Sequence, residues 1–252
     1  MDVFILKNVA MITMLCDHLG ESFLGDLTIY RCIGRFAFPI YAILLAEGFR
    51  HFKDDPKRVS KHLGDYVILA LVSELAYDLL EAKPFIWSNM VISQNNIITL
   101  LIAFLGLMAI DKWKDKPLPL CSVILLTAFS NYFIGSNYRF AGVLLVYAFY
   151  FYLNWAMEKD KGYLQRFGML LLIMTIYLPI YHWARYDFCN WTMYLEYLKG
   201  ANTYWYLTHI AIAGFLATYT GKLGYSSKGF KKFYKWFYPG HLAILGIIHQ
   251  IM

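Results

Sequence analysis

Apolar runs follow one another along the whole chain, and that continuity leaves few folds open. A membrane-spanning helix needs roughly 20 mostly apolar residues. Nine segments meet or approach that requirement: 3–23, 29–49, 64–81, 95–111, 119–135, 139–157, 166–184, 203–221 and 237–252. In hydrocarbon the backbone has to satisfy its own hydrogen bonds, which makes each segment a helix. The expected fold is therefore an all-α, polytopic integral membrane bundle forming one domain over residues 1–252. The last segment is short, and eight spans result if it is re-entrant. Composition points the same way. Charged residues make up 16% of the chain, against about 25% in soluble domains.

The start, Met1-Asp2-Val3-Phe4, lacks the basic n-region of a cleavable signal. The first segment is expected to stay as a helix. The four cysteines, Cys16, Cys32, Cys121 and Cys189, form no CxxC pair, so no metal site is expected and they read as small buried hydrophobes.

The net charge of +6 raises nucleic acid as a partner. Its distribution argues against that. Basic residues gather in alternate loops: Arg50, Lys53, Lys57, Arg58 and Lys61; Lys112, Lys114 and Lys116; Lys159, Lys161 and Arg166; Lys222, Lys228, Lys231, Lys232 and Lys235. The positive-inside rule then places the N-terminus and these loops in the cytoplasm, facing phospholipid headgroups. Trp87, Trp113, Tyr132, Tyr138, Trp155, Trp183, Trp191, Trp205, Trp236 and Tyr238 read as interfacial aromatics. The stretch Ala184–Gly200 reads as an external loop with an interfacial helix. No internal repeat supports an inverted-repeat transporter.

Ionisable groups inside the spans are the functional candidates. A charge at the centre of a spanning helix costs about 2.5–3.5 kcal/mol on insertion scales. Asp17 and His18 fall in the outer half of the first span, and Arg31 and Arg35, four apart, in the outer half of the second. Glu74 and Asp78 lie in the outer half of the third span. Gln94-Asn95-Asn96 opens the fourth, with Thr99 one turn after Asn95. Four successive helices thus bring polar side chains to a similar depth. An imidazole beside a carboxylate suits general base catalysis, with His18 as base and Asp17, Glu74 or Asp78 orienting it. A second polar group is expected at the inner side, where Glu47, Arg50 and His51 end the second span and Pro239-Gly240-His241 open the last, with Pro239 in the first turn. Structural or interfacial roles are expected for His182, His209 and His249.

Several of these stretches resemble the TraX family. Met11–Gly20 is similar to a first-helix pattern ending DHxG. Ile33–Tyr41 with Leu44–Phe49 resembles GRxAFPIF…EGF, and Leu71–Asp78 resembles ISEIPFD. Gln94–Leu100 is similar to QNVFFTL, and Phe237–Leu242 to FYPxHL. The matches run in order along nearly the whole chain. One stretch departs: where relatives carry an acidic DYGxxGV, this chain has Asn137-Tyr138-Arg139-Phe140-Ala141-Gly142-Val143.

The resemblance implies an acyltransferase of the bacterial cytoplasmic (inner) membrane, similar to a pilin N-acetyltransferase and more distantly to heparan-α-glucosaminide N-acetyltransferase. It implies acetyl-CoA or another acyl-CoA as cytoplasmic donor and a peptide, glycan or small-molecule acceptor with an amine or hydroxyl. In that reading His18, Asp17, Arg35, Glu74 and Asn95 are catalytic, while His241, Glu47, Arg31 and Thr99 bind the donor. Arg35, Asn95 or Thr99 would stabilise the oxyanion. Because His18 lies outward and the donor arrives from inside, a through-membrane tunnel is required. The alternative is a transporter or flippase using the same buried groups as a relay.

Overall fold

The computed structural model describes residues 1–24, 28–81, 94–158, 161–185, 192 and 203–251. Ten helices account for most of them: α1 (Val3–Phe23), α2 (Thr28–Gly34), α3 (Ala37–Phe52), α4 (Pro56–Leu80), α5 (Asn96–Trp113), α6 (Pro117–Ile134), α7 (Arg139–Glu158), α8 (Tyr163–Arg185), α9 (Thr203–Ala217) and α10 (Lys228–Ile251). The protein is a multi-pass, all-α membrane bundle.

Among the described residues, six stretches are long and apolar enough to cross a membrane: Val3–Phe23, Ile29–Phe52, Asn96–Trp113, Pro117–Ile134, Arg139–Met157 and Tyr163–Ala184. The other three expected spans fall on helices that miss one criterion. Tyr204–Ala217 is apolar but shorter. The helices α4 and α10 run 25 and 24 residues; α4 carries Asp65, Glu74 and Asp78 along its apolar part, and the first half of α10 is rich in lysine. The last expected segment, 237–252, is thus the second half of a longer continuous helix and is not re-entrant within the described residues. Pro239 therefore sits inside α10 and not in its first turn. Of the stretch Ala184–Gly200, expected to hold an interfacial helix, Ala184 and Arg185 belong to α8 and the rest, residue 192 apart, lies outside the described residues, as do Trp87, Cys189 and Trp191.

Local sequence explains the helix ends. Asp55 caps α4 by accepting from the Lys57 and Arg58 backbone N–H groups (3.1 and 3.2 Å), with Pro56 at the first helical position. Gly135 closes α6 at φ 71°, a left-handed conformation that glycine adopts without strain. Around it, Gln94 N–H donates to Gly135 O (3.2 Å) and Gln94 O accepts from Asn137 N–H (3.1 Å), which fixes the start of α5 beside the start of α7.

The expected second span is broken into α2 and α3, and Pro39 is the cause. Proline has no N–H to give the carbonyl four residues earlier, and its ring crowds that carbonyl. The carbonyl is that of Arg35. The chain turns at Arg35–Phe36 and Phe36 bonds back to Ile33 O (3.2 Å) before α3 begins. Arg35 N–H still bonds Arg31 O (3.1 Å) at the end of α2, but the side chains take different partners, Asp17 and Glu21 for Arg31 and Tyr181 for Arg35.

At the centre lies α3, packed against α1, α4, α5 and α7, with Phe38, Ile40, Ile43, Ala46 and Phe49 all buried. By contrast α6 is peripheral, and its Leu125, Phe129 and Phe133 are more than 60% exposed, as a lipid-facing helix should be. Cys121 is exposed on the same helix, so it is no core residue. The helix α10 lies along α4: Lys235 pairs with Asp65 (2.7 Å) near one end, and His249 bonds Leu80 O (3.0 Å) near the other. The two run parallel. Contacts among helix ends define two faces. The N-terminus and the connections after α3, α5, α7 and α9 share one, here the basic face. Met1 binds Thr218 O, Lys53 binds Asp111, and Arg50 binds Asn154 there.

Candidate active site

Two histidines from distant parts of the chain meet inside the bundle. Both are buried, on α1 and α10, with His18 Nδ1 2.7 Å from His241 Nε2. The rings stack at 5.0 Å between centroids. His241 Nδ1 lies 2.8 Å from Phe237 O, one turn back on α10. A carbonyl only accepts, so Nδ1 of His241 carries the hydrogen and donates it. The neutral ring then has a lone pair on Nε2. His18 donates its Nδ1–H to that lone pair, and its own Nε2 is left basic. This nitrogen makes no hydrogen bond among the described residues.

His18 lines a recess of about 400 Å³ together with Met14, Asp17, Gly34, Ala37, Phe38, Tyr41, Asn96, Ile97, Leu100, Tyr138 and Tyr238. Its walls are mostly apolar with a few polar tips, the usual makeup of a small-molecule site. Asn96 contributes its backbone N–H to Tyr238 OH (3.4 Å), and its side-chain Oδ1 is buried without a partner among the described residues.

The carboxylates expected to orient His18 do other things. Asp17 Oδ1 accepts from Arg31 Nη1 (2.9 Å), which also donates to Glu21 (2.9 Å). Arg31 thereby clamps α1 to α2. The clamp is close, because a Cβ at Gly34 would overlap the Asp17 side chain. Glu74 Oε2 accepts from the Asn95 backbone N–H (3.0 Å) and Nδ2 (2.5 Å), and Asn95 Oδ1 caps α5 at Ile97 N–H (2.8 Å). Glu74 and Asn95 thus anchor the start of α5 to α4. Thr99 Oγ1 bonds Ser136 Oγ (2.6 Å), which donates to Asn131 (2.8 Å), and this joins α5 to the α6–α7 connection. None of these three lines the His18 recess.

His241 is also displaced from its expected place. It is 13 residues beyond the helix start and level with His18, far from a phosphate-holding basic end. Glu47 is on the basic face, but its oxygens are occupied. They contact Arg50 (2.8 Å), His51 (3.2 Å) and the Tyr219 hydroxyl (3.3 Å).

Arg35 opens onto a second recess of about 280 Å³, lined by Pro39, Tyr138, Tyr177, Tyr181, His182, Trp205 and His209. Tyr138 forms part of both recesses. The departing Arg139 has a structural use: its Nη1 donates to Ala184 O (2.6 Å) near the end of α8, where the helix dipole favours a cation.

Sequence reasoning passed over Tyr41 and Asn96, and assigned Tyr138 and Tyr238 to the membrane interface. Both tyrosines are buried, at 7% and 4% exposure. Asn96 was legible as a polar residue at a span entrance. Nothing in the sequence separates an interfacial tyrosine from one that lines a recess.

The sequence matches the TraX protein family over residues 3–249. The chain belongs to the TraX family. A protein of Rickettsia prowazekii (strain Madrid E), described as the uncharacterized protein RP591, is 35% identical over 89 residues, which is 35% of this chain and 32% of that relative. The match thus spans about a third of that relative's length. No solved structure matches the chain.

Proposed function

We propose that this TraX-family protein is an integral-membrane acyltransferase that moves an acyl group, acetyl in the simplest case, from acyl-CoA to an amine or hydroxyl acceptor. The observation that carries the reading is the open Nε2 of His18, set in its tautomer by His241 and facing a mostly apolar recess. A pair of this kind is a general base with its orienting partner.

In this reading His18 Nε2 takes the proton of the acceptor's N–H or O–H as that atom attacks the thioester carbonyl. The C–S bond then breaks, and the leaving thiolate takes the same proton back from His18. The products are an amide or ester and free CoA. His241 is a positioning residue. The tyrosine hydroxyls and the Asn96 side chain on the recess wall are the groups within reach of the developing oxyanion, in place of Arg35, Asn95 and Thr99. The recess is bounded towards the basic face by Tyr41, whose ring stacks on Tyr234 at 5.8 Å, and Lys7 lies 4.4 Å from the Tyr234 ring. That seam between α1, α3 and α10 suits the pantetheine arm of the donor, with Lys7 and Lys231 towards its phosphates. Positive-inside orientation puts this entrance in the cytoplasm.

The test is acyl release from radiolabelled acetyl-CoA by the purified protein in nanodiscs, with membrane extracts as acceptor source. The wild type is expected to label an acceptor and His18→Ala to label none above background. Wild-type rates in a folded His18→Ala protein would sink the base assignment. Solute movement in liposomes without acyl-CoA consumption would favour a transporter instead.

A further inference from the structure

Arg35 is an intramembrane cation that forms no ion pair among the described residues. Its side chain donates to the neutral hydroxyl of Tyr181 (3.2 Å) and lies over the rings of Tyr181 and Trp205, 5.6 and 5.1 Å from their centroids. Its Nε is buried and has no hydrogen-bond partner among the described residues. No described carboxylate lies within ion-pair distance. Asp17 rests against neighbouring Gly34, but its carboxylate goes to Arg31. His209 turns its Nδ1–H to Trp205 O (2.7 Å) and brings no negative charge to the recess.

A desolvated guanidinium left in this state is costly, and buried charges are ordinarily paired. Ring stacking on two sides offsets part of that cost and fixes the plane of the group. A guanidinium so held presents its free N–H edge to a planar or tetrahedral oxyanion. One positive charge calls for one negative charge. The recess shares Tyr138 with the His18 recess, so an occupant anchored at Arg35 reaches His18 by passing that ring.

We infer that the Arg35 recess anchors the acceptor, and that the acceptor carries a singly charged oxyanion group, a carboxylate or a phosphodiester, beside its reacting amine or hydroxyl. This rests on the acyl-transfer reading of the His18 recess and adds the chemical class of its second substrate. The oxyanion belongs to a soluble molecule or to a lipid headgroup.

Side-chain Nε–Hε NMR of the full chain in phosphatidylcholine nanodiscs reads the site directly. The Arg35 signal is assigned by its loss in Arg35→Lys or, should that variant fail to fold, by its displacement in Tyr181→Phe. Benzoate is expected to move the signal saturably, and uncharged benzamide to act at least tenfold more weakly. A signal that ignores benzoate but moves when phosphatidylglycerol is added to the discs assigns the oxyanion to a lipid headgroup. Both outcomes support the site. No movement with either probe, or equal movement with benzamide, overturns it. Acyl transfer by a protein whose Arg35 signal never responds refutes the anchoring role alone. A response in a protein that transfers no acyl group refutes the acceptor assignment together with the transfer reading.

Discussion

Two polar clusters sit at opposite ends of α3, and they treat their charges differently. On the basic face every main participant is engaged. Glu47 contacts Arg50, His51 and Tyr219, Arg50 also donates to Asn154 (2.7 Å), and Lys53 and the Tyr150 hydroxyl share Asp111 (2.7 Å each). At the other end, His18 Nε2, Asn96 Oδ1 and Arg35 Nε have no partner among the described residues. A saturated cluster contributes to holding helices together. An unsaturated one lowers stability and gains sites for a ligand. The contrast marks the candidate site by open hydrogen-bonding capacity, which the mere presence of charge does not.

The comparison predicts a dissociation between activity and stability. His18→Ala is expected to cost about 10²–10⁴-fold in acyl transfer while leaving thermal unfolding in nanodiscs nearly unchanged. Glu47→Ala is expected to do the reverse. Removing one partner of a buried ion pair costs about 3–5 kcal/mol, and Arg50 keeps Asn154, which places this variant near the low end of that range. Its activity per folded molecule should stay close to wild type. If Glu47→Ala folds normally and cannot transfer, the basic cluster is part of the site and the contrast fails.

His241→Ala should fall between them. Losing the group that orients a reacting side chain typically costs about 10–100-fold. The loss should appear in kcat with KM for acyl-CoA kept, and the pH profile of kcat/KM should change shape. An unaltered profile would reduce His241 to a packing role.

The all-α bundle was legible because hydropathy and length decide it, although nine spans were expected and the described residues form ten helices with six stretches long and apolar enough to cross a membrane. The break between α2 and α3 was missed, because 29–49 reads as one apolar run, although Pro39 and the position four residues before it are both in the sequence. What could not be read was which partner each buried polar group takes. Asp17 is adjacent to His18 in sequence, but α1 turns its carboxylate towards Arg31. His241 looked like a cytoplasmic histidine because the apolar run begins only at Phe237, while the helix begins at Lys228. The extra turns carry lysines, and hydropathy does not count them as helix.

Smaller effects sharpen the same contrast. Thr99→Val removes the bond to Ser136 and should cost about 1 kcal/mol of stability, with little change in transfer, because Thr99 does not line the His18 recess. The smallest effect is at Lys53. Its hydrogen bond to Asp111 holds the ammonium above its ordinary pKa of 10.5. A raised pKa means the stabilisation is complete below pH 10.5 and is lost as pH climbs through the folded value. For a part-exposed pair this amounts to about 0.2–1 kcal/mol. Lys53→Met should flatten that alkaline decline in a denaturation series without altering the profile at neutral pH.

The His18–His241 contact joins positions 223 residues apart. At Gly246 the approach of α10 to α4 is so close that an added Cβ would come within 2.9 Å of Leu80 N. That groove sets the longitudinal position of α10, and a slip of one residue would carry His241 about 1.5 Å along its axis, enough to part it from His18. During synthesis α1 enters the membrane long before α10 exists, and until α10 seats in its groove His18 has no ring beside it. The His18–His241 pair is thus assembled only once α10 has docked, and chains in which α10 is not yet inserted lack it.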